Sequence, residues 1–189
     1  MIPVLFALLV QTQQPGRPPV AQAQTQPASS QPRSPYDSTV AAIRRIGLAV
    51  AEVKSSMDAF GRAAAREPSA VVVERAVSLQ NRCQTLARSA AQDGRILCRS
   101  CVTGERREAL DHYRAYLASL ERVGSQCVTS IARLRRAGTV DQVAEGLKRD
   151  ARTISQRIVA GFVPYEQRLL VLRQAFGWAP PPNRPRPGS

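Results

Sequence analysis

Cys83, Cys98, Cys101 and Cys127 are the residues of this 189-residue chain whose type and spacing point to chemistry. The middle two form Cys98-Arg99-Ser100-Cys101, the spacing of a dithiol that cycles between thiols and a disulfide, and the nearby cations Arg95 and Arg99 favour a thiolate. Redox sites of the thioredoxin kind open a helix after a βαβ pattern, which this chain lacks. Covalent haem attachment needs a histidine directly after such a motif, and residue 102 is valine. Four thiolates satisfy a zinc ion only if the fold gathers all of them at one point. Two ordinary disulfides are the simplest use of the set in an oxidising compartment.

The remaining candidates are sparse. His112 is the only histidine, which excludes sites built on two imidazoles, and no nucleophile and orienting partner lie near it in sequence. Glu105, Glu108 and Asp111 share one helical face but alternate with Arg106, Arg107 and Arg114, the pattern of a salt-bridged solvent face. No glycine-rich phosphate loop, catalytic triad or paired-carboxylate site stands out, so neither a catalytic residue nor a cofactor or metal is expected. The formal net charge is +13, from 27 basic and 14 acidic residues, and 25 of the 27 are arginine. Ala, Arg, Pro and Gly share GC-rich codons, so part of this bias follows from genomic composition. Arginines cluster at Arg44-Arg45, at Arg95, Arg99, Arg106 and Arg107, and at Arg133, Arg135 and Arg136. Such clusters suit phosphate or other anionic groups. No aromatic residues interleave with them, which argues against base stacking and nucleic acid.

Compartment follows from the two ends. Residues 2–10 are nine uncharged, apolar positions, the length of a signal-peptide core and too short for a membrane span. Val20-Ala21-Gln22-Ala23 supplies small residues where a signal peptidase reads, so cleavage is expected after Ala23, although a basic stretch before the apolar core is missing. No cysteine follows that core, so a lipid anchor is not expected. Residues 24–36 read as a disordered Gln/Pro-rich linker and residues 179–189 as a proline-rich tail. These features predict an exported protein, periplasmic or secreted, that is not an integral membrane protein.

Between these flanks, residues 37–178 carry all 14 acidic residues and all four cysteines, with a net charge of +9. Their apolar residues recur at helical spacing throughout. One seam is Ile43, Ile46, Val50, Val53, Met57, Phe60 and Ala64, opened by a cap at Asp37-Ser38-Thr39 and broken at Glu67-Pro68-Ser69. A second is Val72, Ala76, Leu79, Cys83, Leu86 and Ala90. A third runs Leu110, Tyr113, Leu117, Leu120, Gly124, Cys127, Ile131 and Leu134, ending near Gly138. Thr139 and Gln142 form a capping box for a fourth helix. Its seam is Val143, Leu147, Ala151, Ile154, Ile158, Phe162, Tyr165, Leu169, Leu172 and Phe176, with a kink expected at Pro164. The predicted fold is all-α: an elongated antiparallel bundle of about four helices with coiled-coil-like seams. Its narrow, alanine-rich core leaves room for a homodimer.

Two arrangements of the cysteines remain open at this point. If the second helix continues to about Val102, Cys83 and Cys127 come level across a hairpin reversing near Thr103-Gly104, which pairs Cys83 with Cys127 and Cys98 with Cys101. If Asp93-Gly94 ends that helix, residues 95–102 fold over the bundle end, and Cys98 and Cys101 can staple to Cys83 and Cys127. The sequence thus predicts an exported, disulfide-stabilised, non-enzymatic helical protein that binds or scaffolds in a bacterial cell envelope. Its expected partner is another protein or an anionic envelope component. The competing expectation is a thiol-disulfide redox or redox-sensing protein using Cys98 and Cys101.

Overall fold

The structure is a computed structural model that describes residues 34–136 and 138–178. The expected leader, most of the linker and the proline-rich tail lie outside the described residues. Among the described residues four α-helices follow one another: α1 (Pro35–Arg66), α2 (Ser69–Ile96), α3 (Glu105–Arg135) and α4 (Val140–Ala175), of 32, 28, 31 and 36 residues. At 1.5 Å per residue these helices are about 42 to 54 Å long. The short connections force each helix to run antiparallel to the one before it. Each packs along its sequence neighbours, while α4 closes the bundle against α1 and also meets α2 across the diagonal.

The seams read from the sequence are the core. In α2 the buried residues are Val72, Ala76, Leu79, Cys83, Leu86 and Ala90, the whole of the expected stripe. Met57, Ala64, Leu134 and Leu169 are only partly buried and pack against the core from its rim. The ends are set by local chemistry. α1 begins at Pro35, two residues ahead of the expected cap, because the Ser34 hydroxyl accepts the Asp37 N–H at 3.1 Å and Pro35 has no amide N–H to leave unpaired. The Thr139 capping box is present: Thr139 Oγ1 accepts from the Gln142 N–H, and Gln142 Oε1 accepts from the Thr139 N–H at 3.0 Å. α4 continues through Pro164. The proline removes one backbone donor, and the carbonyl this leaves belongs to exposed Ala160, where water can satisfy it.

α2 ends between the two expected positions. It passes Gly94 and stops at Ile96, and Leu97 is extended rather than helical, so Leu97 and Cys101 do not prolong the α2 seam. The chain must reverse before α3, and it does so with Leu97 and Val102 both buried in the bundle end, a short 3₁₀ turn (Arg99–Cys101) between them and Gly104 at φ +55°. That positive φ favours glycine at the reversal.

Candidate functional site

The four cysteines fall into two pairs at disulfide distance, in the first of the two arrangements. Cys83 of α2 and Cys127 of α3 have Cα atoms 6.2 Å apart and are 1% and 4% exposed. Their level is set by antiparallel register, and Gly124 allows the helices to approach there. A Cβ at residue 124 would stand 2.7 Å from the Cys83 carbonyl oxygen and 3.0 Å from Ala87 Cβ, so only glycine fits. Cys98 and Cys101 have Cα atoms 5.4 Å apart, both partly exposed, at the end of the bundle. Cys83 lies 13 residues before the end of α2, about 20 Å along the helix, so the two pairs occupy separate levels. Among the described residues no three His, Cys, Asp or Glu side chains are grouped as metal ligands.

The partly exposed pair sits on a turn that α1 and α3 hold. The Cys98 N–H donates to the hydroxyl of fully buried Thr39 on α1 at 2.9 Å, and that hydroxyl donates to the Pro35 carbonyl at 2.9 Å. On α3, Arg107 donates to the Val102 carbonyl at 3.1 Å and Asp111 pairs with Arg99 at 2.9 Å. Next to the turn, Asp93 of α2 accepts from Arg45 of α1 at 2.8 Å and ties those two helices together. The apolar residues Leu97 and Val102 therefore anchor the segment, and Cys98 to Cys101 arches outward between them.

Three of the four arginines expected to bind anions at this end have internal partners. Arg99 is held by Asp111 and Arg107 by Val102. Arg106 donates to the Ala175 carbonyl at 3.3 Å and lies over the Phe176 ring, in an aromatic cluster with Tyr36 and Trp178. Arg95 is exposed. Arg133, Arg135 and Arg136 lie at the opposite end of the bundle, where Arg135 donates to Gln80 Oε1 at 3.1 Å. The structure therefore does not bring the two arginine groups together.

Comparison with known proteins gives no match. No family model, curated protein or solved structure resembles the chain.

Two features escaped the sequence patterns. In the core, the Tyr113 and Tyr165 hydroxyls lie 3.5 Å apart, and burial pushes both phenols above their ordinary range, Tyr113 well above it. On the outside of α4, Val159, Val163, Leu170 and Val171 are between 41% and 54% exposed. Val159, Val163 and Leu170 share one side with Arg152, at offsets of 7, 11 and 18 residues from it. That second period was readable, but the longer core seam of the same helix masks it. Beside this side, Ser125, Gln126, Thr129, Ser130 and Arg157 line an open groove between α3 and α4. No described helix is long and apolar enough to cross a membrane.

Proposed function

We propose that this chain is an exported, disulfide-stabilised helical protein that binds or scaffolds in a bacterial cell envelope, without catalysis of its own. The single observation that carries this reading is the cysteine arrangement: a buried pair that ties α2 to α3 and a second pair that fastens the connection between them. Structural crosslinks of this kind belong to oxidising compartments, which agrees with the apolar leader pattern of residues 2–10. The test is alkylation mass spectrometry on the protein recovered from its native host, with and without mild reductant. Complete pairing of Cys83 with Cys127 and of Cys98 with Cys101 is expected before reduction. Free thiols at all four positions would remove the reading.

A second reading rests on the exposure of Cys98 and Cys101. An attacking thiolate could reach either sulfur, forming a mixed disulfide and releasing the other as a thiolate. The same experiment separates the two: preferential, rapid opening of this pair supports redox exchange, and resistance equal to that of the buried pair removes it.

A further inference from the structure

The charge of the bundle is unevenly placed. Residues 115–136 of the α3 region and 151–175 of α4 hold eight arginines against only Glu121 and Glu166, a net +6 of the +9 in residues 37–178. Glu166 is already ion-paired with Lys54 of α1. Among the described residues, exposed Arg152 and Arg157 have neither a hydrogen bond nor an ion pair, and Arg168 lies over the ring of Tyr116. The most exposed aliphatic side chains of α4 within this stretch, Val159, Val163 and Leu170, stand on the same side as Arg152, with Arg157 and Arg168 along the α3 flank.

We propose that this outward side of α4, together with the groove it shares with α3, docks onto a bilayer surface bearing anionic phospholipid headgroups. The arginines supply the charge complementarity, and the Ser125 and Ser130 hydroxyls and the Gln126 amide beside Arg157 suit headgroup phosphate oxygens. Val159, Val163 and Leu170 span 11 residues, about 16 Å along the helix, and enter the headgroup layer lying flat. A soluble polyanion would use the arginines and leave the three aliphatic side chains in water. A partner helix would require a longer apolar stripe than this one, which Gln156, Gln167 and Gln174 interrupt or border. The inference names the partner for the envelope-binding reading and so rests on it, yet vesicle association is measured independently of where the chain resides or how its cysteines pair.

The experiment is co-sedimentation of the full, oxidised chain with phosphatidylcholine vesicles, with and without phosphatidylglycerol. Wild type is expected to bind only the anionic vesicles and to release as salt approaches about 0.3 M. Arg152→Gln/Arg157→Gln weakens binding about 25-fold, fivefold for each guanidinium. Arg62→Gln/Arg88→Gln, which removes the same charge from exposed sites on α1 and α2, changes it less than about threefold. Val159→Ser/Val163→Ser/Leu170→Ser weakens vesicle binding by at least about tenfold while its retention on heparin matches wild type. Residues 1–10 are common to every variant, so differences among variants report on α4. No binding to anionic vesicles, equal losses for the two arginine pairs, or full vesicle binding by the aliphatic variant would each overturn the proposal. Arg152 and Arg157 are both exposed and without a hydrogen bond or ion pair among the described residues, so that variant decides the matter even if the triple substitution fails to fold.

Discussion

Replacing Cys83 and Cys127 by alanine removes a crosslink that lies within the hydrophobic core and ties α2 to α3. The pair is separated by 44 residues in sequence. Chain-entropy arithmetic for a loop of that size gives about 0.6 kcal/mol from the constant and about 3.4 kcal/mol from the logarithm of length, about 4 kcal/mol together. An unfolding entropy of about 2.1 cal/mol/K per residue over some 145 folded residues converts this to a fall in Tm of roughly 13 °C. The same arithmetic gives under about 2 kcal/mol for Cys98→Ala/Cys101→Ala, whose cysteines are only 3 residues apart. The assay is thermal and urea unfolding followed by far-UV circular dichroism on both double variants and the oxidised wild type. Reductant opens both pairs and should lower the wild type at least to the level of the Cys83→Ala/Cys127→Ala variant. If that variant melts within about 3 °C of wild type, or if removing the exposed pair costs as much, the assignment of the buried pair as the principal crosslink is wrong.

Three further outcomes follow from particular contacts. Gly124→Ala drives a methyl group into the Cys83 carbonyl and Ala87, so it should destabilise by about 1 to 3 kcal/mol in urea unfolding. Thr39→Val keeps the shape of a buried side chain but leaves the Cys98 N–H without its acceptor. It should cost about 1 to 3 kcal/mol and speed opening of the Cys98–Cys101 pair by dithiothreitol, followed by alkylation. Burial raises the Tyr113 and Tyr165 phenols above the unfolded value of about 10, so the neutral folded form is favoured: their contribution is complete below pH 10 and is lost as pH rises through the raised values. Alkaline urea titration should show stability falling above about pH 10, and Tyr113→Phe/Tyr165→Phe should flatten that fall.

Much of this fold was legible because each helix repeats one apolar period over many turns. Val72 to Ala90 mapped onto the buried face of α2 residue for residue, and the Thr139–Gln142 box marked the start of α4. Residues whose partners come from distant elements were not legible. Thr39 reads as part of an N-terminal cap, yet it holds the Cys98 amide 59 positions away. Arg99, Arg106 and Arg107 read as anion-binding candidates, the last two on a salt-bridged solvent face, yet they bind Asp111, the Ala175 carbonyl and the Val102 carbonyl at the bundle end. A local pattern encodes burial and turns well, whereas a backbone carbonyl left over at the end of one helix carries no signature in the sequence of another. The end of α2 fell between the two sequence expectations for the same reason, since the buried positions of Leu97 and Val102 depend on the helices around them.

Because the helices alternate in direction, Ser34 and Trp178 leave the bundle at the same end, where Tyr36 stacks on Phe176. Tension applied between the two flanks therefore peels α1 and α4 away from that end in sequence, as a zip opens, rather than shearing the whole core at once. With Cys83 and Cys127 joined, the chain between them, a sequence separation of 44, cannot lengthen. At about 3.4 Å per residue the oxidised molecule would stretch roughly 150 Å less than the reduced one. The buried crosslink thus sets a limit on extensibility, and single-molecule pulling would read its redox state as a length.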